Sequence, residues 1–261
     1  MKRLATGLIA AAAIAVLATG AQAQDKQKVK IGTEGAYPPF NSIDPQGKLV
    51  GFDIDIAKAL CEAANFECEF VIQDWDGIIP GLLAKKYDAI VASMSITDER
   101  RKVVDFTEKY YNTPAKFVAP KGADLDVSPE GLAGMTVGVQ RATIHENFLR
   151  AEFPELDVRA YATQDEANAD LVSGRVDLIM ADSVALLEGF LKTEEGQDFE
   201  FVGPDYSEPK YHGEGAGIAI RKGEDDLRAA FNEAIDKIRA DGTYQAIAEK
   251  YFDFDVYGPV S

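Results

Sequence analysis

The chain has 261 residues and carries 44 acidic against 27 basic side chains, a formal net charge of −17. Such a surface repels phosphate backbones and excludes non-specific nucleic-acid binding. Two cysteines allow at most one internal bridge, and His145 and His212, the only histidines, have no ligand-spaced partner that would make a metal site.

The chain opens "MKRLATGLIAAAAIAVLATGAQAQ". Lys2 and Arg3 form a positive start, Leu8 to Ala18 an apolar run too short to span a bilayer, and Ala21-Gln22-Ala23 a small-x-small cleavage site. This predicts a signal peptide over residues 1–23, cleaved after about Ala23, and an exported mature chain. No cysteine stands near the cleavage point to carry a lipid, and no later segment approaches transmembrane length. The remainder is long enough for one large domain or two modest lobes.

"VKIGTE" reads as a strand, and "GFDIDIAKALCEAA" as a helix with Ile56, Leu60 and Ala63 or Ala64 on one face. Cys61 and Cys68 follow closely in "LCEAANFECEF". In an oxidising compartment a bridge between them would contribute roughly 2.5 kcal/mol; two free buried thiols are the alternative. A helix through "DGIIPGLLAKK" leads to the strand "DAIVAS". Then come the strand "MTVGVQ", the helices "TIHENFLRAEF" and "TQDEANADLVSG", and the strand "RVDLIMAD". Leu227, Phe231, Ile235 and Ile238 mark a long amphipathic helix that Gly242 can close. The alternation of strand and helix predicts an α/β architecture.

Two stretches echo each other. "LLAKKYDAIVAS" and "DLVSGRVDLIMAD" both run helix end, basic residue, strand, polar group. Asp88 then matches Asp177, Ile90 matches Ile179, and Ser93 matches Asp182, with a weaker match of "KIGTE" to "TVGVQ". This predicts two similar units, each presenting polar groups at a strand's carboxyl end, where ligands bind in open α/β sheets.

The first polar group lies in "SMSITDERR". Ser93, Ser95 and Thr97 are hydroxyl donors, Thr97-Asp98-Glu99 resembles a helix start, and Arg100 offers a fork that suits a carboxylate. The same residues suit an ordinary helix N-terminus. The matching group of the second unit is acidic, Asp182. A cationic receptor facing an anionic one complements a zwitterion, of which an α-amino acid is the commonest small example. Tyr37 and Trp75 supply aromatic faces for a side chain, and Glu34 a charge for its distal cation. No G-x-S-x-G elbow, phosphate loop, zinc spacing or dinucleotide fingerprint points to catalysis or a cofactor.

"GFDIDIAKALC", "IPGLLAKKYDAIVASMSITDERR" and "RADGTYQAIAEKYFDFDVYG" resemble the bacterial periplasmic polar-amino-acid-binding proteins, in particular the lysine/arginine/ornithine-binding and histidine-binding group (solute-binding protein family 3). The resemblance covers nearly the whole mature chain. It implies a two-lobed periplasmic-binding-protein fold of type II with two crossover hinge strands. Lobe 1 would comprise residues 24–112 and 213–261, lobe 2 residues 113–212, with hinges near Asn112 to Lys116 and Tyr206 to Gly215. It also implies a Cys61–Cys68 disulfide, no cofactor, a monomer, and delivery of the ligand to the permease of an ABC importer. By position, Arg100, Ser95 and Ser93 would hold an α-carboxylate and Asp182 an α-ammonium. Tyr37 and Trp75 would flank the side chain, and Glu34 would meet its end.

One segment departs from the group's pattern. Where its members carry a hydroxyl-rich turn after the strand "MTVGV", this chain has Gln140-Arg141-Ala142-Thr143-Ile144. Ile144 offers only a backbone N–H, Thr143 can substitute for a lost hydroxyl, and Arg141 adds a charge. A polar, cationic amino acid is the expected ligand, with an opine, bearing a second carboxylate for Arg141, as the alternative. An exported cyclohexadienyl dehydratase is the competing enzyme reading, since such enzymes look similar to this fold.

Overall fold

The computed structural model describes residues 26–258; the expected signal peptide and its cleavage site lie outside the described residues. Two five-stranded mixed sheets form the frame. In the first, the order is Phe66–Ile72, Gln27–Thr33, Ala89–Ile90, Ala216–Arg221, Val104–Tyr111. In the second it is Asp157–Tyr161, Thr136–Gln140, Leu178–Asp182, Ala115–Pro120, Phe199–Tyr206. Each sheet has three parallel strands continued by two antiparallel ones. The chain passes between the sheets twice, at residues 112–114 and 207–215.

Both central strands are apolar up to their carboxyl ends because helices cover both faces of each sheet. Alternate residues of "LIMAD" go to opposite cores: Leu178 and Met180 pack with Phe117 and Phe148, Ile179 and Ala181 with Leu171 and Phe190. In the first lobe, Ala89 and Val91 join a core with Leu60, Phe231 and Ile235, while Ile90 and Ala92 join Ile78 and Leu82. A strand buried on both faces reads as a continuous apolar run. The predicted helices appear as Phe52–Ala63, Ile78–Leu83, Ile144–Glu152, Gln164–Val172 and Asp225–Ala240. The last ends before Gly242, whose φ of 85° is left-handed. A Cys61–Cys68 disulfide ties the end of the first helix to the adjoining strand.

The predicted echo is present bond for bond. Asp88 accepts the Lys30 N–H on its carboxylate at 2.9 Å, and its own N–H donates to the Lys30 carbonyl at 2.8 Å. Asp177 does the same with Thr136, at 2.8 Å in both bonds. Ile90 stands opposite Gly32, and Ile179 opposite Gly138. The preceding helices end alike: Lys86 and Arg175 donate back to Gly81 and Asp170, and Lys85 and Gly174 to Leu82 and Leu171. Each is a paired C-terminal cap around a left-handed residue, Lys85 at φ 60° and Gly174 at φ 68°.

Candidate functional site

The two parallel units point the carboxyl ends of their strands at one another, and a pair of adjoining chambers lies between them. Glu34, Tyr37, Trp75, Ser93, Ser95, Arg100, Gln140, Thr143 and Ile144 line the first. Asp182 lines the second, which shares Tyr37, Ser93, Ser95 and Ile144. All ten candidate residues thus line these two adjoining chambers.

"SMSITDERR" divides its labour within one short helix, Asp98–Arg101, capped by the Thr97 hydroxyl. Adjacent helical residues diverge, so the two arginines face different ways. Arg100 turns inward, donates to the Ser95 carbonyl at 2.9 Å and lies 5.3 Å from the Trp75 ring centre. Burial lowers its pKa to about 10. Among the described residues it has no carboxylate partner. Arg101 turns outward and grips Glu214 of the second crossover with both terminal nitrogens, at 3.1 and 2.8 Å. The Ile96 backbone also pairs with Glu214 and Gly215. A Cβ at Gly213 would collide with the Ile96 carbonyl oxygen, so the crossover presses directly on this loop.

Ser93 lines the cavity in a left-handed conformation, but its hydroxyl donates inward to Asp53 at 3.0 Å. Asp53 also accepts from Asn41 and Tyr110, both at 2.8 Å. The Ser93 hydroxyl proton is therefore committed to the frame. Thr143 caps the helix Ile144–Glu152 and donates to the Gln140 carbonyl at 2.7 Å. Ile144 is the first residue of that helix, where a backbone N–H has no partner within the helix.

The acids are buried without cations. Asp182 accepts the Val184 and Ala185 N–H groups on one oxygen and the Thr113 hydroxyl on the other. Burial raises its pKa to about 6. Its N–H donates to the Tyr37 hydroxyl across the lobes at 3.2 Å. Glu34 accepts from the Gln140 amide of the opposite lobe at 2.5 Å. Burial, with Asp74, Asp165 and Asp76 nearby, raises its pKa to about 7 against the opposing effect of that hydrogen bond. No basic side chain among the described residues pairs with Glu34 or Asp182.

Arg141 stands outside both chambers. Its Nε donates to Asp76 of the other lobe at 2.6 Å, with both side chains partly exposed at the rim. The Trp75 indole N–H closes the same rim by donating to the Ala142 carbonyl at 3.1 Å. Two cavity residues escaped the sequence reading except as poor metal ligands. His145 and His212 are buried with ring centres 6.1 Å apart, and His145 Nδ1 and both His212 nitrogens lack hydrogen-bond partners. Burial, then His212 and Arg100, push the His145 pKa down to about 3. They lie 67 residues apart in sequence, and only the His145 position, directly after Ile144, offered a signal. Among the described residues no His, Cys, Asp and Glu group is placed to hold a metal.

Residues 29–254 match the model of the bacterial extracellular solute-binding proteins, family 3. The chain belongs to that family. A curated relative, the L-arginine-binding protein of Pseudomonas aeruginosa, is 51% identical over 99% of each chain. The histidine-binding periplasmic protein of Salmonella typhimurium is 44% identical over 99% of this chain and 100% of its own. Among solved structures, a periplasmic binding protein of Salmonella typhimurium with high arginine specificity superposes with a TM-score of 0.81 at 35% identity, covering 87% of this chain and 99% of its own. The fold is thus that of the two-lobed periplasmic binding proteins.

Proposed function

We propose that this family 3 protein is the periplasmic, monomeric receptor of an ABC importer and that it encloses a cationic amino acid, arginine before lysine, ornithine or histidine. The observation that carries the reading is the charge balance of the cavity. One guanidinium, Arg100, lacks a carboxylate, while two carboxylates, Glu34 and Asp182, lack a cation. Buried charges are costly unless paired. One anion and two cations are what an amino acid with a basic side chain carries. In this reading Arg100 takes the α-carboxylate, with help from Ser95 and the Ile144 N–H. Asp182 takes the α-ammonium, and Tyr37 and Trp75 flank a side chain whose cation reaches Glu34. Residues 112–116 and 206–215 act as hinges, and the ligand favours the closed form because only that form gains contacts from both lobes.

The ligand carries a single carboxylate. Arg141, the residue that would meet an opine's second carboxylate, is engaged by Asp76 outside the cavity. The same charge balance opposes a prephenate-like dianion, so the protein binds without chemistry. A thermal-shift screen of the ligand-free mature protein across amino acids, opines and prephenate tests this. A ligand at a hundredfold its Kd stabilises by about 2.7 kcal/mol, and arginine is expected to give the largest shift. A larger shift with glutamate or an opine, or release of phenylpyruvate from prephenate, overturns the reading.

A further inference from the structure

Between Glu34 and Asp182, only Glu34 takes a partner for its carboxylate from the opposite lobe. It is 7% exposed, and its partner is the neutral Gln140 amide. The groups around it are Asp74 and Asp76 from the turn beside Trp75, Asp165 from the helix Gln164–Val172, and Tyr37 and Gln140; the same chamber holds His145 and the cation Arg100, which lies over Trp75 and donates to the Ser95 carbonyl rather than to Glu34. The nearest rim cation, Arg141, is held by Asp76. A carboxylate shut into such surroundings is stabilised either by a cation or by a proton. A basic ligand side chain supplies the cation, and a neutral one supplies nothing.

We propose that closing over a neutral side chain draws one proton from solvent onto Glu34, whereas closing over a cationic side chain does not, so that the preference for cationic ligands is set by pH as well as by contact. This rests on the reading above, in which Glu34 meets the end of the ligand side chain.

The sign comes from the two states of Glu34. In the open protein, solvated, it titrates near its ordinary 4.5; enclosed without a cation it titrates at about 7. Between those values the closed complex of a neutral ligand holds a proton that the open protein lacks. Its affinity therefore falls roughly tenfold for each unit of rising pH in that window and levels off on either side. A basic ligand keeps Glu34 ionised in the complex, and its affinity is flat across the same range.

The test uses the ligand-free mature protein with L-arginine and its neutral isostere L-citrulline. Calorimetry from about pH 5 to about pH 8, in buffers of low and high ionisation enthalpy, reads both affinity and proton exchange. The citrulline-to-arginine Kd ratio is expected to climb about fortyfold between roughly pH 5 and pH 7 and then flatten. Near pH 6, close to one proton should be taken up with citrulline and none with arginine. In Glu34→Gln the citrulline uptake and its pH slope should both vanish. A ratio independent of pH, equal proton exchange for both ligands, or no citrulline binding at the acid end while arginine binds would overturn the inference alone. Failure of arginine itself to bind would remove the functional reading beneath it.

Discussion

The two parallel units share a frame and differ where it ends. Asp88 and Asp177 tie the third strand to the first with the same pair of bonds, and Gly32 and Gly138 stand at the same register. At the next equivalent position the units part. Ser93 turns left-handed and gives its hydroxyl to Asp53, whereas Asp182 stays in the ordinary region and caps a new helix. That single divergence sends the first chain onward to a guanidinium and leaves a carboxylate in the second. A repeated scaffold can therefore present opposite charges across one cavity by changing only the segment that leaves the strand.

The largest break in this comparison should come from the cationic side. Arg100→Ala removes the cavity's guanidinium, which has no carboxylate partner among the described residues, and is expected to weaken arginine binding by about 2–5 kcal/mol, the usual cost of truncating a desolvated charge partner. A Kd by calorimetry within a factor of about two of wild type would place the carboxylate elsewhere.

On the acidic side the effect should be smaller and more selective. Asp182→Asn keeps an oxygen for the Val184 and Ala185 N–H groups, so the helix cap survives while the charge is lost. Arginine should weaken roughly tenfold to a hundredfold, and an analogue without the α-amino group much less. Equal losses for both would assign Asp182 to closure or folding.

The scaffold itself offers the smallest and cleanest test. Lys85 and Gly174 occupy the same left-handed cap, which costs a residue with a Cβ about 1–2 kcal/mol. Gly174→Ala should lower unfolding stability by about that amount. Lys85→Gly should raise it by up to about 1 kcal/mol, since flexibility of the unfolded chain offsets part of the relief. Denaturant titrations of the two variants should therefore move in opposite directions.

The repeat was legible because its signals are local: an apolar run after a basic helix end marks a strand covered on both faces. The charged members of the site were legible through that repeat, because polar groups at equivalent strand ends converge when the units face one another. Phe199–Tyr206 was not legible, because Gly203-Pro204 reads as a turn. The structure absorbs the pair as a register shift in an edge strand, where an absent N–H is tolerated. Val104–Tyr111 lacks the signal for another reason: Asp105, Thr107, Glu108 and Lys109 interrupt any apolar run although only Glu108 is exposed. Side-chain direction was also beyond reach. Nothing local distinguishes Arg141 facing an Asp76 on the other lobe from Arg141 facing a ligand, and the same holds for the meeting of His145 and His212.

The rim contacts carry a kinetic meaning. Trp75 to Ala142 and Arg141 to Asp76 join lobe to lobe without passing through the cavity contents. Opening must therefore break them in addition to any contacts an occupant makes with both lobes. The rim adds the same increment to the opening barrier for every occupant that leaves these two bonds unchanged, and the occupant's own cross-lobe contacts set the differences in residence time.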